Sequence, residues 1–239
     1  MATVVLAHGA WSAAWAWKKV RPLMRAAGHE FFTPTYTGLG EREHLANPSN
    51  DLETHIEDVL GVIRAEELSA VVLLGHSYGG MVATGVADRA RERMAQVIYL
   101  DAFVPKDGQA LIDLAPDDHR RRILEGARSG DGWRVPPNPI PPDTAPEDVD
   151  WIMRHRRPMS IKCFEQPLGL QGELALPRAY IYCKRIAPGD PFRPFAERAK
   201  TESGWRYYEL DASHSPNVTA PKALVKLINE VVASAPRLD

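Results

Sequence analysis

A serine flanked by glycines stands between an apolar run and a pattern of small helical residues. The turn Gly75-His76-Ser77-Tyr78-Gly79, here called the elbow, follows Val71-Val-Leu-Leu74 and precedes Met81-Val-Ala-Thr-Gly-Val86. A tight strand-to-helix turn strains the serine backbone, and its flanking positions lie so close to a neighbouring strand and helix that glycine is favoured there. The helix begins just beyond Ser77, so its first N–H groups point toward the serine oxygen. The pattern predicts a nucleophilic Ser77; the other interpretation is a structural turn with an incidental serine.

Short β-branched runs alternate with helical patterns along the chain. Two amphipathic stripes predict helices, one capped by Asn50 or Asp51 and one near the C-terminus with Thr219 as its cap and Pro221 in its first turn. Several strand candidates are apolar throughout, as expected when helices cover both faces of a parallel sheet. The alternation therefore predicts a doubly wound α/β sheet. The predicted strands are Thr3–Ala7, Glu30–Pro34, Val71–Gly75, Gln96–Asp101, Arg178–Cys183 and Arg206–Leu210.

The length and charge of the chain exclude several classes of protein. Its 239 residues suit one α/β domain over 1–239. The 29 basic and 31 acidic residues give a formal charge of −2, which offers no basis for binding nucleic acid or an anionic membrane. No apolar run approaches the ~18 residues of a membrane span. The chain opens on a strand pattern and not on a signal peptide, and Cys163 and Cys183 show no disulfide or metal-ligand pattern. We therefore expect a cytoplasmic protein without metal or cofactor.

One segment interrupts the alternation of strands and helices. Residues 105–177 separate the fourth and fifth strands by far more than an ordinary connection. The run Val135-Pro-Pro-Asn-Pro-Ile-Pro-Pro142 within it cannot be helical. We interpret the segment, here called the insertion, as a cover over one end of the sheet and not as a separate domain. Its apolar side chains are candidate pocket walls: Leu111, Ile112, Leu114, Trp133, Ile140, Trp151, Ile152, Met153, Met159 and Phe164.

A serine nucleophile needs a general base with an oriented imidazole. His214 follows the last strand, as the chain order serine, acid, histidine requires for this type of elbow. We favour Asp101 as the acid, because a carboxylate buried at the carboxyl end of the fourth strand needs a hydrogen-bonded partner. The other interpretation of Asp101 is a cap for the turn Phe103-Val-Pro105. Asp190, in a turn-forming sequence after the fifth strand, is the alternative acid.

A second glycine turn follows the first strand. His8-Gly9-Ala10 can aim the Ala10 N–H at the nucleophile, where it would form an oxyanion hole with the Tyr78 N–H; the other interpretation is an ordinary turn. His76 is expected to pack beside the nucleophile and not to act as a second base. The candidate pocket residues are His8, Trp11, His76, Trp133 and Trp151. The remaining histidines are predicted to lie on the solvated surface: His29, His44, His55, His119 and His155.

With these residues in place, the sequence resembles the α/β-hydrolase superfamily. It is most similar to the small esterase branch that holds plant methylesterases, hydroxynitrile lyases and bacterial carboxylesterases. The resemblance implies the sheet order 2-1-3-4-5-6, without the superfamily's two leading strands, and a helical cap formed by the insertion. Hydroxynitrile lyases carry a lysine where Ser215 stands, so lyase activity is not expected. The segments that carry the resemblance are Val4–Ala10, Trp15–Trp17, Gly28-His29, Thr35–Arg42, Gly75–Gly80, Tyr99–Pro105 and Ser213-His214.

These observations predict a serine carboxylesterase. Ser77 would attack the carbonyl of a small to medium apolar ester, with His214 as general base, and water would then clear the acyl-enzyme. A thioesterase or an amidase would use the same three residues. A further alternative is a slow-turnover ligand receptor with a hydrolase fold, in which the insertion signals to a partner protein.

Overall fold

The central sheet has six strands, and every neighbouring pair is parallel. The computed structural model describes residues 1–185 and 189–235. The spatial order is β2-β1-β3-β4-β7-β8, which confirms the predicted order of the six main strands. A separate antiparallel pair, β5 and β6, lies in the insertion. The strands are β1 (Thr3–Ala7), β2 (Glu30–Phe32), β3 (Val71–His76), β4 (Met94–Leu100), β5 (Arg134–Val135), β6 (Met159–Ser160), β7 (Arg178–Cys183) and β8 (Trp205–Leu210).

Helices cover both faces of this sheet. Buried side chains of α2, α3 and α8 pack on one face, and those of α1 and α10 pack on the other. The apolar character of the central strands on both faces follows from this doubly wound arrangement. Short 3-10 turns cover Ala14–Trp17, Gly40–Leu45 and Arg91–Arg93. The helices are α1 (Arg21–Ala26), α2 (Leu52–Ala65), α3 (Gly79–Arg89), α4 (Leu111–Leu114), α5 (Asp117–Ser129), α6 (Pro146–His155), α7 (Lys162–Glu165), α8 (Arg193–Thr201), α9 (Pro216–Thr219) and α10 (Pro221–Ala233).

The two predicted helix caps had different outcomes. Asp51 caps α2, because its Oδ1 accepts the Thr54 N–H over 2.9 Å while the Thr54 hydroxyl accepts the Asp51 N–H in return. The Thr219 cap on α10 is wrong. Ala220 precedes that helix without a side-chain cap, because Thr219 already ends the short helix α9. Pro221 occupies the first turn of α10 as predicted.

The insertion covers the loop that follows β1. It contributes α4 to α7 and the β5–β6 pair, and its proline-rich run contains no helix. The Trp11 backbone N–H donates to Met159 Sδ over 2.9 Å, and the Trp11 indole N–H donates to the Val135 carbonyl over 2.9 Å. An ion pair of 2.6 Å between Lys19 and Asp148 adds a further contact. In the described residues, no helix has the length and apolar character needed to cross a membrane.

The first turn of α3 lies in direct contact with the backbone at the ends of two strands. A Cβ added to Gly79 would stand 2.0 Å from the Ala7 carbonyl oxygen, and one added to Gly80 would stand 2.0 Å from the Phe103 carbonyl oxygen. Neither contact leaves room for any side chain, since each involves main chain that cannot rotate away. These two glycines therefore fix how closely the elbow approaches β1 and β4.

We expect Gly79→Ala to destabilise the protein by about 3 kcal/mol, because the added methyl group would push α3 away from β1. Gly61→Ala is the matched control, since a Cβ added there inside α2 meets nothing within 4 Å. That substitution should stabilise the fold by about 0.5–1 kcal/mol through helix propensity. Chemical denaturation followed by circular dichroism measures both effects. A Gly79→Ala midpoint equal to that of the unmodified protein would contradict the steric argument.

Candidate active site

Ser77 adopts a strained backbone conformation in the turn between β3 and α3. Its φ of 58° lies in the left-handed region, which costs a residue with a side chain of order 1–3 kcal/mol. Hydrogen bonds hold it there: its N–H donates to the Leu100 carbonyl over 3.3 Å, and its carbonyl accepts from the Phe103 N–H over 3.2 Å. Strand β4 and the segment after it therefore clamp the serine from one side, so the hydroxyl projects from a fixed backbone.

Three side chains from distant parts of the chain meet at this point. The Ser77 hydroxyl lies 3.0 Å from His214 Nε2, and His214 Nδ1 lies 2.7 Å from Asp101 Oδ2. The residues follow β3, β8 and β4 respectively, and all of these strands end at the same edge of the parallel sheet. With Nδ1–H donating to the carboxylate, Nε2 is left to accept the serine proton. The structure thus joins the predicted nucleophile and base with the favoured acid in one hydrogen-bond chain.

Asp101 is almost fully buried, with 3% of its surface exposed. Its Oδ1 accepts the Cys183 N–H over 3.2 Å, and its own N–H donates to the Ile181 carbonyl. Burial raises the pKa of the Asp101 carboxyl above its ordinary value, while the hydrogen bond and charge of His214 act in the opposite direction. The Phe103 N–H bonds to Ser77 and not to Asp101, so this carboxylate is directed at the imidazole and not at the turn.

The alternative acid, Asp190, is engaged elsewhere. The Tyr182 hydroxyl donates to its Oδ2 over 2.6 Å, and the Phe192 N–H donates to its Oδ1 over 2.9 Å. The second bond, to the N–H two residues ahead, is the turn-forming contact typical of aspartate. Among the described residues, the carboxylate that bonds His214 is that of Asp101.

Two aromatic rings hold the His214 imidazole. The Phe192 ring stacks on it with centroids 4.7 Å apart and planes 11° from parallel, and the His76 ring lies 5.0 Å away. The His76 Nε2–H also donates to the His214 carbonyl over 2.8 Å. Burial, reinforced by the charge of His214, lowers the pKa of His76 to about 3. His76 is therefore a neutral hydrogen-bond donor that positions the His214 loop. It packs beside the nucleophile, as the sequence predicted.

Two backbone donors flank Ser77. Within the described residues, neither the Ala10 N–H nor the Tyr78 N–H donates to a protein acceptor. The turn after β1 lies against the elbow, since a Cβ added to Gly9 would stand 3.3 Å from the Ser77 Cβ. A left-handed φ of 58° at Trp11 turns the chain away immediately afterwards. A free N–H on the residue after Ser77 and a second one on the turn that lies against the elbow are donors of the kind that an oxyanion hole requires.

The candidate pocket residues occupy different environments. His8 has no exposed surface; it stacks on Tyr36 at 3.7 Å, and burial lowers its pKa to about 3. Trp11 is buried against Phe164 with ring centroids 5.5 Å apart. Trp133 lines a small cavity together with His55 and Cys163, and neither Ser77 nor His214 is among its lining residues. Trp151 packs on Trp15 with Lys18 Nζ 3.9 Å above its ring, so it joins the insertion to the core.

Three histidines lie where the surface interpretation did not place them. His29 is half-buried, with its Nε2 2.8 Å from Asn229 Oδ1. His55 is 1% exposed, and its Nδ1 lies 2.9 Å from the Tyr78 hydroxyl. Its position three residues after Leu52 and four before Val59, on the apolar stripe of α2, was the signal for burial. His119 is half-buried, and its Nε2 accepts from the Asn138 side-chain amide over 3.3 Å. No local pattern indicated that position, because it depends on how the insertion folds over the sheet.

No three His, Cys, Asp or Glu side chains come together as a metal site within residues 1–185 and 189–235. Cys163 and Cys183 are both free and buried. The groups gathered around Ser77 are therefore a hydroxyl, two imidazoles, a carboxylate and backbone N–H donors. Together they can transfer a proton and stabilise a negative oxygen.

Comparison with known proteins agrees with this geometry. A family model described as the alpha/beta hydrolase family matches residues 4–227. A carbendazim hydrolyzing esterase of Nocardioides sp. (strain SG-4G) is 39% identical over 237 residues, which cover 95% of this chain and 98% of that protein. Salicylic acid-binding protein 2 of Nicotiana tabacum is 31% identical over 105 residues, or 42% of this chain and 39% of that protein.

A solved structure extends the likeness to the whole fold. An extracellular alpha/beta-hydrolase from a Paenibacillus species superposes with a TM-score of 0.83 at 26% identity, over 96% of this chain and 98% of that one. The family match spans nearly the entire sheet and includes the elbow, Asp101 and His214. This chain belongs to the alpha/beta hydrolase family.

Proposed function

We propose that this protein is a serine carboxylesterase in which Ser77 is the nucleophile, His214 the general base and Asp101 the acid that orients it. The observation that carries the proposal is the continuous chain of hydrogen bonds, 3.0 Å from Ser77 to His214 and 2.7 Å from His214 to Asp101. Both distances lie within the range in which a side chain can take up or return a proton. The named esterase relative of Nocardioides, matched over 95% of this chain, supports the same activity.

The first half of the reaction forms an acyl-enzyme. Ser77 Oγ bonds to the ester carbonyl carbon while its proton passes to His214 Nε2, and the Asp101 carboxylate stabilises the resulting imidazolium. The carbonyl oxygen becomes an oxyanion, which the Ala10 and Tyr78 N–H groups stabilise. Reformation of the carbonyl breaks the bond to the alcohol oxygen, and His214 returns its proton to that leaving alcohol.

The second half repeats these steps with water. His214 Nε2 takes a proton from water as the water oxygen attacks the acyl carbon, and the same two N–H groups hold the second oxyanion. Breaking of the acyl–oxygen bond returns the proton to Ser77 Oγ and releases the carboxylic acid. Ser77, His214 and Asp101 thereby regain their starting protonation states.

The insertion is proposed to act as the cap of a single domain and to supply the walls of the acyl pocket. Its apolar side chains suit the hydrocarbon part of a small to medium ester, and the Nocardioides relative is named for a small molecule. Thioester and amide substrates present the same carbonyl to the same groups, so relative kcat/KM on matched ester, thioester and amide substrates distinguishes these activities. The two buried free cysteines fit a reducing, cytoplasmic setting.

The test of the nucleophile is Ser77→Ala. Removal of the attacking oxygen should lower kcat by roughly 10⁶-fold, as in other serine triads. Hydrolysis of p-nitrophenyl esters of graded acyl length measures the loss. A fluorophosphonate probe should label Ser77 of the unmodified protein and should not label the Ser77→Ala variant. More than a few per cent residual activity, in a sample free of contaminating esterase, would refute the assignment.

The two candidate acids are separated by a pair of isosteric substitutions. Asp101→Asn should lower kcat by about 10⁴-fold, because an amide facing His214 Nδ1 favours the wrong imidazole tautomer. Asp190→Asn should leave kcat within a few-fold of the unmodified enzyme, since Asp190 bonds Tyr182 and Phe192. Thermal unfolding of both variants controls for structural damage. A large kcat loss in the Asp190 variant with little loss in the Asp101 variant would reverse the roles.

A further inference from the structure

Three polar residues from separate parts of the insertion meet in one cluster. His119 lies on α5, Asn138 in the proline-rich run, and Arg156 directly after α6. Arg156 Nη1 donates to the Asn138 carbonyl over 2.6 Å, and the Asn138 side-chain amide donates to His119 Nε2 over 3.3 Å. Asn138 therefore holds both side chains, one through its main chain and one through its side chain. We call these three residues the Asn138 cluster.

Helix α6 sets the position of this cluster relative to the active site. Trp151 on α6 packs on Trp15 with ring centroids 5.2 Å apart and belongs to the same small apolar cluster as Val218. Trp15 lies in the segment that follows Ala10, and Val218 lies four residues after His214. The carboxyl-terminal half of α6 therefore packs between the segment that follows Ala10 and the short helix α9, which follows His214.

The chain after α6 continues directly to the oxyanion turn. Met159, three residues after Arg156, accepts the Trp11 backbone N–H on its Sδ over 2.9 Å. Three residues span at most about 11 Å, so the Arg156 backbone lies within that distance of Met159. Arg156 thus stands between two fixed contacts, Asn138 on one side and the turn after β1 on the other.

Electrostatics indicate the same placement. Burial and the charges of His214 and His8 lower the pKa of His76, and the charge of Arg156 adds a smaller contribution in the same direction. The charge of His214 contributes in the same way, after burial and the charge of Arg122, to the pKa of about 4 at His119. These interactions require Arg156 to lie near His76 and His119 to lie near His214.

Arg156 has capacity to bind a further group. A guanidinium carries five N–H donors, and Arg156 uses one of them within the described residues, where no carboxylate forms an ion pair with it. Its neighbour Arg157, by contrast, is paired with Glu43. Burial lowers the pKa of Arg156 to about 10, so the group remains cationic at neutral pH. The remaining N–H donors of Arg156 can bind an anion, for which a guanidinium is suited in both charge and shape.

We propose that Arg156 and His119 bind a carboxylate on the substrate, so that the enzyme acts on esters carrying a second, ionised carboxyl group, as in monomethyl esters of dicarboxylic acids. The guanidinium matches a carboxylate in charge and geometry. Because His119 Nε2 accepts from Asn138, its proton resides on Nδ1 and is available to donate. The apolar part of the acyl chain then lies against the insertion, with its charged end on the Asn138 cluster. This inference rests on the proposed esterase function.

The test compares two substrates of nearly equal shape. Monomethyl dicarboxylates of four to eight carbons are assayed beside the corresponding methyl ester monoamides, in which a neutral carboxamide replaces the carboxylate. For the best chain length, Arg156→Gln should lower kcat/KM on the carboxylate by about 10- to 100-fold, since a hydrogen bond to a charged group is lost, and on the amide by less than about 3-fold. Arg156→Lys should recover part of the loss.

The control variant is Arg154→Gln, two residues earlier on α6 and exposed, which should leave both values unchanged. Competition against p-nitrophenyl butyrate tests the unmodified enzyme directly, whatever the stability of the variants. The competitors are the monoamide of the diacid, which keeps one carboxylate, and the diamide, which keeps none; the monoamide should inhibit at least 10-fold more strongly. Equal inhibition, or equal losses on both substrates in Arg156→Gln, would overturn the carboxylate site while leaving the esterase intact. Failure to hydrolyse p-nitrophenyl butyrate at all would instead overturn the proposed function, and with it this inference.

Discussion

The approach of α3 to the ends of β1 and β4 is the constraint on which the site depends. Gly79 lies against the Ala7 carbonyl and Gly80 against the Phe103 carbonyl, so close that a methyl group on either glycine would clash with the carbonyl oxygen. This contact brings the turn after β1, with its Ala10 N–H, beside Ser77. It also brings the segment after β4 beside the same serine, where the Ser77 carbonyl accepts the Phe103 N–H. A displaced helix would separate the Ser77 hydroxyl from the turn after β1 and from the segment after β4.

The surroundings of Asp101 and Asp190 explain which of the two carboxylates bonds the His214 imidazole. Asp101 ends a central strand, where water is excluded, and it gains its hydrogen bonds from His214 and the Cys183 N–H. Removing either donor would leave a buried charge without compensation. Both carboxylate oxygens of Asp190 already accept hydrogen bonds, one from the Tyr182 hydroxyl and one from the Phe192 N–H, so the Asp190 charge is compensated without His214. The stacked Phe192 ring then limits the imidazole to the orientation that serves both Ser77 and Asp101.

Much of the fold could be predicted because its signals are local. The elbow needs only a strand, two glycines and a helix in order. The strand order was implied by the resemblance to the α/β-hydrolase superfamily, together with the right-handed crossovers expected of alternating strands and helices. The capping box at Asp51 and Thr54 is likewise a four-residue pattern. The failures have tertiary causes. Thr219 lost its predicted role because α9 forms directly before α10, and His55 lies inside because the apolar stripe of α2 packs on the core.

The sequence by itself determined the doubly wound sheet, the elbow at Ser77 and the position of His214 after the last strand, since each depends on residues close together in the chain. Only the tertiary structure shows that His214 bonds Asp101 and not Asp190, because both residues follow sheet strands and only their surroundings in space differ. It alone brought Arg156, Asn138 and His119 together in one cluster. These residues lie on separate elements of the insertion, and hydrogen bonds between such elements leave no periodic trace along the chain.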